Sequence, residues 1–256
     1  MNYPSNISSC KGKRKVSMIT AYDYSMASIV NSSDIDMILV GDSLGNVMLG
    51  HKDTIAVTVS DMIHHASSVV RGAPNKIIIV DMPFMSVSMG FEKSLENVLR
   101  LMQETGAHGV KIEGGRHFIK LIKELKHAGV PVMGHLGLTP QSYLQLGGYK
   151  TQGNTDRSAE EILKDAEALC EAGVFAIVLE CVNHELAKKI TEAIAVPTIG
   201  IGSGTDTDGQ VLVINDLIGL NNGKVPGFVK PKLNLNLEIK NALNEFVKEV
   251  HSGKSC

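Results

Sequence analysis

Lys76-Ile77-Ile78-Ile79-Val80-Asp81-Met82-Pro83 is the stretch that decides the fold. An unbroken run of β-branched side chains suits a strand buried on both faces, and the proline ends its ladder just past Asp81. Sheets buried on both faces are parallel sheets covered by helices, so the neighbouring segments should alternate between strand and helix. They do. Residues 92–105 read as an amphipathic helix with Leu95, Val98, Leu99 and Met102 on one side, and 107–112 as the next strand.

The alternation extends in both directions. Residues 16–20, 37–40, 130–134, 176–179, 198–201 and 211–214 read as further strands, bringing the total to eight. Residues 24–31, 59–71, 116–127, 158–172 and 184–193 read as helices between them, with Ser158 as the expected cap of its helix and Glu161 three residues on. A terminal helix lies within 234–250, and 1–15 is a polar leader. The pattern predicts one α/β domain over 1–256, a single (β/α)8 TIM-type barrel. Its last βα segment is irregular, because 202–210 is too short for a crossover helix. An open doubly wound sheet is the competing architecture.

With 25 basic and 27 acidic residues the chain has no charge excess to suggest a nucleic acid or an anionic membrane as partner. A small-molecule substrate is expected. Cys10, Cys170, Cys181 and Cys256 form no C-x-x-C pair, which fits free thiols in the cytoplasm. No apolar run approaches a membrane span, and the basic cluster Lys11, Lys13, Arg14, Lys15 lacks the apolar core of a signal peptide.

The active face of such a barrel is built at the C-terminal strand ends, and four acids fall there: Asp42, Asp81, Glu113 and Glu180. Singly each reads as a loop cap or turn former; together they are harder to explain so. Asp42, Asp81 and Glu113 end consecutive strands, which lie about 5 Å apart, so their repulsion calls for a cation. Hard oxygen ligands without clustered His or Cys suit Mg²⁺. Glu180 sits two strands further round, placed to act as a general base or to pair with Lys111.

Gly109-Val110-Lys111-Ile112-Glu113-Gly114-Gly115 puts a lysine and a glutamate on one face of a buried strand. That pair is either a structural ion pair or part of a site, where Lys111 would hold a substrate carboxylate or a developing enolate. His135 is the histidine best placed for the site, whereas His64 and His65 read as structural or surface residues. The Gly200-Ile201-Gly202-Ser203-Gly204 loop offers either a phosphate cradle or, more simply, a tight turn.

Several segments together resemble the ketopantoate hydroxymethyltransferase family over about 16–250. They are Thr20-Ala-Tyr-Asp-Tyr24, Val40-Gly-Asp-Ser-Leu-Gly45, Arg71-Gly-Ala-Pro74, Asp81-Met-Pro-Phe84, Val110-Lys-Ile-Glu-Gly-Gly115, Gly134-His-Leu-Gly-Leu-Thr-Pro-Gln-Ser142, Leu179-Glu-Cys-Val182 and Asp208-Gly-Gln210. The resemblance implies transfer of a hydroxymethyl group from 5,10-methylenetetrahydrofolate to 3-methyl-2-oxobutanoate in pantothenate biosynthesis. It implies Mg²⁺ at Asp42, Asp81 and Glu113, substrate held by Asp42, Ser43, Asp81 and Lys111, and Glu180 as proton acceptor. It also implies large homo-oligomers, often decamers. The chain departs from the family pattern at Ile55-Ala56, usually Leu-Pro, and at Asn215-Asp216, where His or Tyr usually precedes the Asp. Two other readings stay open. A Mg²⁺ barrel lyase acting on 2-oxo acids would need no folate, and a non-catalytic barrel would bind metal without exchanging protons.

Overall fold

The computed structural model describes residues 3–148, 150–221 and 225–253, so Cys256 lies outside the described residues. Eight parallel strands close into a barrel in the order of the chain, which excludes the open sheet. They are β1 (Val16–Thr20), β2 (Met37–Val40), β3 (Ile77–Asp81), β4 (Gly109–Glu113), β5 (Val132–Gly137), β6 (Ala176–Glu180), β7 (Thr198–Ile201) and β8 (Gly209–Leu212). Every alternate side chain points into the barrel. Met18, Met37, Leu39, Ile77, Ile79, Met133, Ala176, Val178, Ile199 and Val211 therefore meet in one buried cluster that fills its lower part.

The helices before, between and after the strands are α1 (Pro4–Ser8), α2 (Tyr24–Asn31), α3 (Leu44–Val47), α4 (Val59–Gly72), α5 (Phe91–Thr105), α6 (Ile119–His127), α7 (Tyr143–Leu146), α8 (Asp156–Ala172), α9 (His184–Ala193), α10 (Ile214–Leu217) and α11 (Leu235–His251). Among the described residues no helix joins β7 to β8, as the short connection predicts. The cap of α8 is Thr155 rather than Ser158. The Thr155 hydroxyl accepts the Ser158 N–H, and Ser158 returns the bond from the third helical position.

Two expectations need correction. The leader is not merely polar: Ile7 and Cys10, three residues apart on and just after α1, are buried in the same cluster as Val16, Met18 and Phe175 and plug the barrel floor. Its basic cluster is largely consumed within the fold. Lys11 Nζ meets Asp208 at 2.7 Å, Arg14 meets Asp36 at 2.7 Å, and Lys15 donates to the Thr205 and Thr207 carbonyls.

The eighth strand also starts two residues earlier than its apolar run suggests. Gly209 belongs to it because a Cβ there would stand 2.4 Å from the Val16 carbonyl, so only glycine lets the seam of the barrel close. The run then breaks at once, and Ile214 begins α10 instead of ending a strand.

The chain divides into two compact units, Met1–Val211 and Leu212–Cys256. Within the second, Lys232, Leu235 and Asn236 donate backbone N–H groups to the carbonyls of Leu217, Ile218 and Gly219 and lace the start of α11 to the turn after α10. Asn215, one of the departures from the family pattern, is buried and donates its side-chain amide to the Leu220 carbonyl. No residue of α11 is buried.

Candidate active site

The alternation that builds the apolar cluster also builds the site. Ile77 and Ile79 point inward on β3, so Asp81 does as well; Met133 carries His135 inward on β5, and Ala176 and Val178 carry Glu180 inward on β6. Lys111 and Glu113 share that face of β4. The register sets Asp81 beside Lys111 and Glu113 beside His135. Asp42 and Ser43 follow β2 at the turn into α3, where the Asp42 N–H donates to Asp81 Oδ2 at 3.0 Å. The structure thus brings together all seven residues singled out in the sequence.

Lys111 is the hub, buried to 3% exposure. Its ammonium lies 3.0 Å from Asp81 Oδ1, 3.4 Å from Glu113 Oε1 and 2.9 Å from His135 Nδ1. Burial alone would push its pKa down, but the charges of Asp81, Glu113 and Asp42 outweigh burial and raise it, so it stays an ammonium. The alternative in which Glu180 pairs with Lys111 is not seen: the lysine pairs with Asp81 and Glu113.

The acids divide by what neutralises them. Burial works against Glu113 as a carboxylate, yet Lys111, His135 and the Gln141 N–H hold it down at about 2. Asp81 is raised, because burial and the Glu113 charge outweigh Lys111 and the Asp42 N–H. Asp42 is raised furthest above its ordinary value, first by burial and then by the charges of Glu113 and Asp81. It has no direct salt bridge with Lys111 among the described residues, and its carboxylate accepts from the Gln141 side chain at 2.8 Å.

His135 is 2% exposed, with both ring nitrogens engaged. Nε2 donates to the Leu138 carbonyl at 2.9 Å and stands 3.4 Å from Glu180 Oε2. Nδ1 can accept from Lys111 or, when protonated, donate to Glu113 at 3.2 Å. Burial and the Lys111 charge lower its pKa, while Glu113 and Glu180 raise it further, to about 9. A ring engaged on both sides holds its neighbours in place. Glu180 is more open, at 18% side-chain exposure against 4% for Asp81 and Glu113, and so can meet a bound molecule.

Two participants had no role in the sequence reading. Tyr22, just past β1, is buried, and its hydroxyl bonds Ser43 Oγ at 2.8 Å; the strand-end criterion that found the acids would have found it. Gln141 lies in the 3-10 turn Pro140–Ser142 and had no signal beyond its motif. His65, expected to be structural or on the surface, bonds the Tyr22 carbonyl at 2.6 Å. In the Gly200–Gly204 loop Ser203 Oγ donates to the Leu179 carbonyl and accepts the Val182 N–H, bracing the backbone around Glu180. Ile55 and Ala56 lie in the loop after α3, where the Ile55 N–H bonds Asp53 and Ala56 is exposed.

Whether the cluster suits a metal can be tested on its atoms. Asp81 Oδ1 is a buried oxygen with no well-directed hydrogen bond, and the Asp42 carboxylate lacks a cationic partner of its own among the described residues. Among those residues no three His, Cys, Asp or Glu side chains form a ready-made cage. That donor set fits Mg²⁺, which takes one or two carboxylates and completes its shell with water and substrate oxygens.

A closed parallel barrel carrying a buried lysine, a buried histidine and four acids at the C-terminal strand ends defines a barrel enzyme acting on a small polar molecule. Within that class, the chain matches the ketopantoate hydroxymethyltransferase family over residues 3–255 and belongs to it, an enzyme of hydroxymethyl transfer. The 3-methyl-2-oxobutanoate hydroxymethyltransferase of Bdellovibrio bacteriovorus is 54% identical over 238 residues, spanning 93% of this chain and 90% of the relative. That of Syntrophus aciditrophicus is 49% identical over 243 residues, spanning 95% and 89%. Among solved structures, a phosphonopyruvate hydrolase in complex with oxalate and Mg²⁺ superposes with a TM-score of 0.63 over 99% of this chain and 89% of the other. At 11% identity it shares the fold alone.

Proposed function

We propose that this chain transfers a hydroxymethyl group from 5,10-methylenetetrahydrofolate to 3-methyl-2-oxobutanoate, giving 2-dehydropantoate and tetrahydrofolate, in pantothenate biosynthesis. The observation that carries the reading is the separation of Glu180 from the other acids. It stands across His135 from the Lys111, Asp81 and Glu113 cluster and is the more open carboxylate. Asp42, Asp81 and Glu113 would hold Mg²⁺, which when bound supplies Lewis acidity toward the oxygens of the ketoacid. Asp42, Ser43, Asp81 and Lys111 bind and orient that substrate, with Lys111 as the fixed positive charge beside its oxygens.

Glu180 takes the C3 proton. The C3–H electron pair becomes the enolate, whose carbon attacks the methylene carbon of the folate. The new C–C bond replaces one of the methylene's two bonds to the folate nitrogens and a C–O bond to water replaces the other; the proton taken by Glu180 and one from the water go to the two nitrogens, and tetrahydrofolate leaves. His135 keeps Glu180 and Lys111 in place from behind. Turnover that persists without any folate would favour a lyase instead.

The free thiols of Cys10, Cys170 and Cys181 support a cytoplasmic setting, and among the described residues no helix is long and apolar enough to cross a membrane. We read the chain as a homo-oligomer that binds no nucleic acid. Supporting this is α11, which exposes Leu237, Ile239, Leu243, Phe246, Val247 and Val250 to solvent.

The decisive experiment incubates the chain with the ketoacid in deuterated water and follows the C3 proton. Mg²⁺-dependent exchange is expected, and exchange no faster than in buffer would overturn the reading.

A further inference from the structure

Gln141 touches more of the acidic cluster than any role so far assigned to it explains. Its side-chain Nε2 carries two hydrogens. One donates to Asp42 Oδ2 at 2.8 Å and the other to the Met82 carbonyl at 2.9 Å. The carboxamide cannot turn without giving up one of them. Its backbone N–H points to Glu113 Oε2 at 3.3 Å. One residue from the loop after β5 therefore ties together the ends of β2, β3 and β4, the three strands that deliver the acids.

The segment that carries it is fixed at both ends. Leu138 donates its N–H to the Glu180 carbonyl at 2.8 Å, which anchors the segment to β6. Pro140 opens the 3-10 turn, closed by Ser142 N–H to the Thr139 carbonyl at 2.8 Å. Beyond the turn, the Tyr143 hydroxyl donates to Asp53 Oδ2 at 2.8 Å and ties the segment to the loop after α3. Gln141 is thus presented to the acids by a backbone with little freedom of its own.

We propose that Gln141 is a positioning residue for the divalent cation. It sets the direction of the Asp42 carboxylate and steadies Glu113, leaving their other oxygens for the ion. This rests on the Mg²⁺ reading given above. Asp42 has most need of such a partner, because Lys111 pairs with Asp81 and Glu113 and makes no direct salt bridge to it. Carboxylates that ligate metals are themselves held by hydrogen bonds, and removing such a partner weakens metal binding about 10- to 100-fold.

The test titrates Mg²⁺ alone, by calorimetry, into the full chain and three variants, with the thermal unfolding midpoint of each. Gln141→Leu keeps the bulk and removes the donors; it should unfold near the wild-type midpoint and bind Mg²⁺ about 10- to 100-fold more weakly. Gln141→Asn, one methylene too short to reach both Asp42 and Met82, should also weaken binding and serves if the leucine variant does not fold. Tyr143→Phe loosens the loop anchor without touching the carboxamide and should weaken Mg²⁺ binding clearly less than Gln141→Leu does. Wild-type affinity in Gln141→Leu overturns the proposal, and so does equal weakening in Gln141→Leu and Tyr143→Phe, which would make the loop's attachment the operative feature. A wild-type chain that takes up no Mg²⁺ overturns the metal reading itself and the proposal with it, an outcome visible without any substitution.

Discussion

Nζ of Lys111 lies 2.9 Å from Nδ1 of His135, with both side chains almost fully buried. Two groups that both carry positive charge in acid approach this closely only because carboxylates surround them. Asp81 and Glu113 flank the ammonium, while Glu113 and Glu180 flank the ring. The ammonium is therefore the counter-ion of its own site, besides the substrate-binding role proposed for it.

Lys111→Met should lose turnover and also stability. Removing the cation leaves two buried carboxylates facing each other, a loss of roughly 3 kcal/mol by analogy with broken buried pairs. Added Mg²⁺ should then raise the unfolding midpoint of the variant more than that of the wild type, because it takes over the missing charge. Equal or smaller stabilisation of the variant would show that the ion does not sit among these acids.

Asp81→Ala removes the buried oxygen that lacks a well-directed hydrogen bond and an acceptor of the Asp42 N–H. Mg²⁺ affinity and turnover should both collapse while the far-ultraviolet circular dichroism stays that of the barrel. Undiminished heats of Mg²⁺ binding would count against Asp81 as a ligand.

Glu180→Gln keeps shape and burial but removes the base. Mg²⁺ and ketoacid should still bind, while deuterium exchange at C3 falls by about 10²-fold or more, the usual worth of a general base. Near-normal exchange would transfer the role to another group.

Acid should loosen the strap between the first two strands. Asp36 accepts from Arg14 at 2.7 Å and from the Ser17 N–H and hydroxyl at 2.8 and 3.0 Å. Burial acts to raise its pKa, but these bonds hold it below the ordinary value. A depressed folded-state pKa stabilises the fold above the unfolded value, about 3.9, and that stability is lost as pH falls through the folded value. Asp36→Asn should therefore lower the unfolding midpoint at neutral pH, and the gap to wild type should close below about pH 4. A gap independent of pH would mean that the strap acts through shape and not charge.

The barrel and its acids were legible because both follow from period-two alternation. The runs ending at Asp81, Glu113 and Glu180 announce buried strands, and a charge at the end of such a run has few structural uses. What escaped depended on contacts distant in sequence. Gly209 is a strand residue only because Val16 crowds it, and Ile7 and Cys10 are core only because the barrel floor is open to receive them. Gln141 had no hydropathy signal, since its place above Asp42 is set by a turn whose ends are bound to β6 and to the loop after α3.

The clasp between Lys11 and Asp208 spans 197 positions of sequence, and Val16 waits on the same stretch for the carbonyl that seals the barrel. On the ribosome, where domains form as the chain emerges, the first strand would be exposed long before its last neighbour is made. Until then β1 presents an unpaired edge and the N-terminal segment has no floor to plug. Closure is thus a late event that depends on synthesis running past residue 208, and chains that stop short of it would carry a sticky seam well suited to capture by chaperones or to aggregation.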